Sequence, residues 1–533
     1  MAGRKLADWV VPSIGDVLFL SIFFKALYLG QQFLSDGDTG WHIITGKNIL
    51  GGLKVPFADP YSHTMPGTPW TSHEWLAEIV LAGFHRLMGL NGVVLLSALV
   101  VGLTFFFLYR FLVYRAVNPF VAVLLTVAAA IASSLHWLAR PHIFSMPMTL
   151  AFIVILEVYQ REGKNHLKYL PMLMAVWVNL HAGFILGLML LFLYAGGNLF
   201  RYLASKRRDT GSKDKAKVLG LTGAVTVAAT FLNPHGPAIL YFPFHLVGRK
   251  YIMDNVMEWL SPNFHANRTF EMMLFTFIVI FVLSRKKPDM FEGGAALLMT
   301  HMSLYSARYI PLMALIVTPA AAVRAGGVLD ELAGHLPGGG LSRRVAERFK
   351  KITSDIVPLE RRFTLHTWIY VSVAACLMVA FNGGYAGGMK VMDYRHDSKV
   401  FPVDAVEFAL KNDIKGNMFN NDGWGGYIIY RSYPHWKVFF DGRSDMYGVP
   451  FMKEYIKVAR AEPGYDKVLD KYNVDWVIYN NGAAICQLLL ESGKWRLIYA
   501  DKTADILVRD VPANRAIIEK YPYARMAEKD EEG

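Results

Sequence analysis

Apolar residues in this chain come in long blocks separated by short polar connections. Blocks with few charges cover 14–34, 91–113, 119–137, 143–159, 167–180, 183–201, 216–232, 270–284, 291–306, 309–323 and 364–382. A bilayer core is about 30 Å thick, so apolar helices of roughly 16 to 24 residues can cross it. The pattern predicts a polytopic α-helical membrane protein with about 11 spans. The fifth and sixth blocks run nearly together. They are divided at Asn179-Leu180-His181-Ala182-Gly183, because polar groups are costly at mid-bilayer.

Loop charge supplies the orientation. Connections assigned to the cytoplasm hold Arg4 and Lys5, Arg110 and Arg115, Arg161, Lys164 and Lys168, the basic run from Arg201 to Lys217, Arg285 to Lys287, and the basic residues from Arg324 to Arg362. The opposite short loops hold Lys47, Lys54, Arg86, Arg140, Arg249, Lys250, Arg268 and Arg308. The first set is roughly three times larger, as cytoplasmic loops require. Without the division at 179–183 the run at 201–217 would face outward. Arg4 and Lys5 precede an apolar run, as in a signal peptide, but no small-x-small cleavage site follows, so a retained first helix is expected.

Two regions follow: 1–382, a membrane domain with a first outer loop at 35–90, and 383–533, an extracytoplasmic α/β domain. Gly383, Gly384, Gly387 and Gly388 predict a flexible exit from the last span. Val403–Asn412 reads as an amphipathic helix. Asn417–Asn420, Val438–Asp441, Trp476–Tyr479 and Ile506–Val508 read as strands, with a helix over Gly425–Tyr433. The tail from Tyr521 is charged and expected to fray. In the first outer loop, Leu76–Leu87 reads as an amphipathic helix lying on the membrane surface, with Leu76, Ile79, Val80, Gly83, Phe84 and Leu87 on one stripe.

Composition adds exclusions. The chain is 53% hydrophobic and 18% charged, against about 45–50% and 25% in soluble domains. Its net charge of +12 invites a nucleic-acid reading. The basic residues, however, sit in short loops between apolar blocks, so no nucleic-acid partner is expected. Cys376 and Cys486 suggest neither a disulfide framework nor a CxxC site. There is no GxxxxGK[ST] phosphate loop.

The unusual polar residues all fall on the side assigned as outer. They are Asp36, Asp38, Trp41 and His42, then Asp59 to His63, then Trp70, His73, Glu74 and Trp75. Further along come Arg140 and His142, Asn179 and His181, Asn233 and His235, Glu258, His301, Tyr305 and Arg308. The charge count did not use most of them. Their agreement predicts a site built between helix ends. Trp41, Trp70 and Trp75 fit interfacial anchors best, and His136 and His245 read as incidental. A membrane-borne donor such as a polyprenyl-phosphate sugar suits this site. Arg140 and Arg308, with His142 and His181, could hold its phosphate. Asp36, Asp38 and Glu74 could orient or deprotonate an acceptor hydroxyl. His42, His73, Asn233, His235 and Glu258 would line the substrate. A divalent ion on Asp36 and Asp38 is an alternative, since hard oxygen ligands suit Mg²⁺ or Mn²⁺.

An Asp-x-Asp motif at Asp36–Asp38 in the first outer loop, many helices and an outer C-terminal domain resemble GT-C class glycosyltransferases. An uncharacterised bacterial group of similar pattern is matched at Asp36 to His42, Asp59 to Ser62 and His73 to Leu76. The resemblance implies a catalytic loop at Asp36 and Asp38, a following juxtamembrane helix, a polyprenyl- or dolichyl-phosphate sugar donor, and a bacterial inner-membrane location. Trp424-Gly425-Gly426-Tyr427 is similar to the Trp-Trp-Asp-Tyr-Gly segment of oligosaccharyltransferase catalytic subunits, without its middle Asp. Trp424 and Tyr427 are therefore expected to bind the acceptor, and Asp441 and Arg443, at the end of an apolar strand, are expected to form an acceptor-binding lip over the membrane site. The alternatives are a transporter or flippase for lipid-linked saccharides, and a non-catalytic assembly subunit.

Overall fold

The computed structural model describes residues 10–266, 268–334, 348, 351–353, 355–358, 360 and 365–522. Arg4, Lys5, Arg343, Arg344, Lys350, Arg361, Arg362 and the charged tail after Pro522 lie outside the described residues.

Helices occupy each apolar block. They run Ile14–Tyr28, Trp75–Tyr114, Pro119–Ser133, Ser145–Glu162, Tyr169–Leu180, Phe184–Ala204, Thr210–Ala229, Arg268–Leu283, Met290–Tyr305, Ile310–Gly334 and Thr367–Phe381. Among the described residues, five are long and apolar enough to cross a membrane when flanking short turns are included: those within Trp75–Tyr114, Pro119–His136, Pro141–Glu162, Phe184–Ala204 and Ala307–Leu329. The expected division near 180 is present. His181 adopts an extended backbone (φ −167°, ψ 146°) and ends one helix before the next begins. The stripe at 76–87 and the block at 91–113 form one stretch broken at Gly89, whose positive φ of 61° lets the chain turn from one helix into the other.

Polar groups collect at both ends of the helix bundle. At one end Glu157 is bonded by Arg115 (2.7 Å), by Arg161 (2.5 Å) and by Tyr194, while Arg324 bonds Glu292 (2.7 Å). The other end carries the first outer loop and the C-terminal unit. Between the last helix and that unit, the four glycines form no flexible exit. All have positive φ and shape a tight hairpin pairing Tyr385–Ala386 with Met389–Lys390.

Those short strands are β1 and β2. The C-terminal unit is built on β3 (Asn417–Asn420), β4 (Val474–Asn480), β5 (Trp495–Ala500) and β6 (Ala504–Arg509), in the order β3-β4-β6-β5. β3 and β4 are parallel, and the other pairs are antiparallel. Helices flank it at Val403–Lys411, Asp422–Ser432, Ser444–Ala459, Tyr465–Lys471 and Ala484–Glu491. The strand expected at Val438–Asp441 does not join the sheet. The Asn420 side chain accepts from the backbone N–H of Phe439 (2.8 Å), and Val438 exchanges backbone bonds with Tyr61 and His63 of the first outer loop. Its hydrogen-bonding capacity is thus used up elsewhere.

A seam of glycines joins the first outer loop to the C-terminal unit. The helix Asp38–Gly52 crosses the helix Asp422–Ser432 so closely that a methyl group on Gly40 would stand 2.8 Å from Tyr430 Cβ, and one on Gly426 2.9 Å from Trp41 Cδ1. Gly425 lies equally close to Asp441, 2.8 Å from its Cα. Small residues are the condition for this approach. They bring Asp36 and Asp38 beside residues 441–445.

Candidate functional site

Arg140 is the hub of the site. It has an extended backbone between the short turns Ser134–His136 and Pro141–Phe144. Its guanidinium reaches Asp36 Oδ2 at 2.7 Å and Asp38 Oδ2 at 3.0 Å, and it also pairs with Glu258. Asp36 is fixed by its own loop, since the backbone N–H of Asp38 donates to Asp36 Oδ1 at 2.8 Å. Glu258 lies on the turn Met257–Trp259. Arg308, on the turn Ala307–Tyr309, stands 3.8 Å from Glu258 Oε2 and lies over the Trp259 ring at 4.6 Å.

Two carboxylates on this guanidinium, Asp38 and Glu258, shift in opposite directions. Burial pushes Asp38 up. Arg140 pulls it back, Asp36 and Glu258 push it up again, and it settles at about 7. Burial also raises Glu258, but the charges of Arg140 and Arg308 outweigh it and hold Glu258 below the usual carboxylate range. Arg140 is raised, because its carboxylate neighbours outweigh burial. Asp38 is thus poised near neutral pH.

A second cluster surrounds Glu74. His73 Nε2, His181 Nε2 and His42 Nε2 stand 3.5, 3.7 and 3.8 Å from its oxygens. Each imidazole is held from behind through Nδ1: His42 by Glu78 (3.2 Å), His181 by Ser145 Oγ (2.8 Å) and His73 by the Thr71 carbonyl (3.1 Å). Burial holds His42 down to about 3, so it is neutral. Burial alone would lower His73 and raise Glu74, but their mutual attraction reverses both shifts and makes them an ion pair.

Both clusters open into one cavity of about 910 Å³. Its wall includes Asp36, Asp38, His42, His73, Glu74, Arg140, His142, His181, Glu258 and Arg308 from the membrane region, and Asp441, Arg443 and Asp445 from the C-terminal unit. Leu135, Met146, Ile185, Met189, Met302 and Leu312, from helices and their ends, make an apolar wall beside the charges. Polar groups on one side and aliphatic groups on the other suit a ligand that has both characters.

Some expected residues are placed elsewhere. Trp424 and Tyr427 are 4% and 2% exposed in the core of the C-terminal unit. Trp424 Nε1 donates to the Val400 carbonyl (2.9 Å), and Tyr427 stacks on Phe401. They pack rather than face the cavity, and the glycines between them serve the seam. Asn233 donates to Asn179 Oδ1 (3.1 Å) and locks two helix ends together, while His235 lies against Phe57, so neither reaches the wall. Asp441 and Arg443 border the cavity but are bonded to each other (2.6 Å), and Arg443 also stands 2.8 Å from Asp59 and over the rings of Tyr61 and Trp70. This buried cluster fastens the first outer loop to the C-terminal unit. Arg140, expected as a phosphate clamp, is committed to the carboxylates.

Other residues gain importance. Trp41 and Trp70 are buried in the same junction and are not interfacial anchors; Trp75 donates to Asn179 Oδ1 (2.6 Å). His136 and Glu78 line the cavity. Glu78 could have been found from sequence as an acidic residue one turn after Glu74 in the otherwise apolar stretch from Leu76 to Phe84. His136 carries no such signal.

The Asp36 and Asp38 oxygens are of the right chemical kind for Mg²⁺ or Mn²⁺. Here the Arg140 guanidinium engages them, and among the described residues no group of three His, Cys, Asp or Glu side chains is arranged to hold a metal ion. The residues do not fit a divalent ion in this arrangement.

No family model and no curated protein matches this sequence. Among solved structures, the chain is similar to the Archaeoglobus fulgidus oligosaccharyltransferase in its apo form, with TM-score 0.50 and 12% identity over 93% of this chain and 75% of that one. It is also similar to ArnT from Cupriavidus metallidurans in the apo state, with TM-score 0.46 and 13% identity over 92% of this chain and 97% of that one. At 12% identity the likeness to the oligosaccharyltransferase is one of fold alone.

Proposed function

We propose that this chain is a membrane glycosyltransferase of GT-C architecture that moves a sugar from a polyprenyl-phosphate donor to an acceptor on the extracytoplasmic face. In this reading all 11 helical segments cross a bacterial inner membrane, and the C-terminal unit lies outside it. One observation carries the proposal: Asp38, shifted to about 7, shares a cavity with Arg308 and an apolar wall formed by helix ends.

The chemistry follows from what each group has left to give. Arg140 is saturated by Asp36, Asp38 and Glu258, so it fixes the acidic cluster. Among the described residues Arg308 has only its 3.8 Å pair with Glu258 and its stacking on Trp259, so its donors can take a phosphate. The polyprenyl chain then lies along Leu135, Ile185, Met189 and Leu312. The acceptor hydroxyl enters from the side of Asp445 and the Glu74–His73 pair. Asp38 removes its proton as the oxygen bonds to the anomeric carbon. The bond from that carbon to the phosphate oxygen breaks, and polyprenyl phosphate leaves with its charge held by Arg308.

The test is Asp38→Asn in proteoliposomes given a labelled polyprenyl-phosphate sugar and a membrane extract as acceptor. Transfer should fall by roughly 10²–10⁴-fold while insertion and thermal stability are kept. Undiminished transfer by that variant would remove the proposal.

A further inference from the structure

The cavity's permanent positive charge is almost entirely committed. Among the described residues lining it, the arginines are Arg140, Arg308 and Arg443, and no lysine joins them. Arg140 is paired with three carboxylates. Arg443, with its side chain 1% exposed, is paired with Asp441 and Asp59. That leaves Arg308 for a ligand.

A second group stands ready beside it. His136 is 7% exposed and lines the cavity, and among the described residues its Nε2 meets no hydrogen-bond partner. Its turn is held in place, because His142 Nε2 donates to the His136 carbonyl at 2.9 Å. A buried imidazole nitrogen without a partner is costly unless a ligand satisfies it.

Resting on the lipid-phosphate reading above, we infer that the donor carries a single phosphate, bound by Arg308 and His136, and that a diphosphate-linked sugar is rejected. A phosphodiester between sugar and polyprenol carries one negative charge. One guanidinium and one imidazole N–H match it. A diphosphate brings a second charge. In this cavity it would meet the carboxylates of Glu258, Asp36 and Asp38 with no uncommitted guanidinium among the described lining residues. Like charges out of water repel strongly. His136 is therefore a specificity-determining residue, and the selectivity comes from commitment of the other arginines.

The experiment measures binding to the full chain in nanodiscs. The probes are polyprenyl phosphate glucose, polyprenyl diphosphate glucose of equal chain length, the free polyprenol and inorganic phosphate. The monophosphate should bind at least about tenfold more tightly than the diphosphate. His136→Ala should weaken it by about tenfold, the worth of one charge-assisted bond. His136→Gln, which keeps an N–H near the same place, should recover most of the loss. A diphosphate that binds as well as the monophosphate overturns this inference and leaves the lipid-phosphate reading standing. So does unchanged binding by His136→Ala. Failure of either phospholipid to bind better than polyprenol overturns both. Inorganic phosphate binding as tightly as the lipid rules out the lipid as the source of the phosphate.

Discussion

The carboxylate of Asp38 lies against the α-carbon of Gly442. A methyl group on that glycine would stand 2.5 Å from Asp38 Cγ, closer still to its oxygens. One partner belongs to the first outer loop and the other to the C-terminal unit, about 400 residues later. Gly442→Ala should therefore displace Asp38 and lower turnover by at least about tenfold. Overpacking of this kind costs about 1–3 kcal/mol, so a thermal melt should move down only modestly while activity falls sharply.

Turnover should depend on pH through Asp38. Its carboxyl sits at about 7, and a general base works when deprotonated. The rate should rise with pH through about 7 and level off above it. A profile flat between pH 5 and 8 would show that another group removes the proton.

Arg140→Ala leaves Asp36, Asp38 and Glu258 facing one another without a counter-charge. Removing one partner from a buried ion cluster costs about 3–5 kcal/mol. The Arg140 side chain keeps 13% exposure, so the lower part of that range applies. The variant should melt earlier and be inactive, and Arg140→Lys should restore stability only in part, because a lysine cannot span three carboxylates. Differential scanning fluorimetry on both proteins checks this.

The glycine seam gives a paired control. Gly426→Ala puts a methyl group 2.9 Å from Trp41 Cδ1, whereas Gly51 has nothing within 4 Å of its ideal Cβ position. Gly426→Ala should lower the melting temperature and activity together. Gly51→Ala, in the same outer-loop helix, should be neutral or slightly stabilising.

Trp424→Phe separates packing from acceptor recognition. It removes the bond from Nε1 to the Val400 carbonyl, worth about 1 kcal/mol. Stability should fall by about that amount with the KM for acceptor unchanged. A raised KM would return Trp424 to the acceptor site.

Hydrophobic blocks made the helices legible, because burial against lipid or other helices leaves a long apolar run whichever face it meets. The break at Asn179–Gly183 was readable for the same reason, since polar groups interrupt the run. The convergence of Asp36, Asp38, Glu258 and Arg308 on one end was also readable from loop positions. Their partners were not. Arg140 looked free to clamp a phosphate because sequence does not show which charges pair in space. Trp424 and Tyr427 looked like acceptor-binding residues because aromatic residues at a motif serve packing and recognition equally well. The role of the glycines in Gly37 to Gly40 and Gly425-Gly426 depends on another helix passing within contact, which no local pattern encodes.

A structure of the protein in nanodiscs with a non-transferable polyprenyl-phosphate sugar tests the central claim most directly. The account predicts the phosphate on Arg308 and His136, the chain along the apolar wall, and the anomeric carbon facing Asp38 with room for an acceptor oxygen at about 3–3.5 Å. Lipid bound away from this cavity, or a phosphate on the opposite end of the bundle beside Glu157 and Arg161, would contradict it.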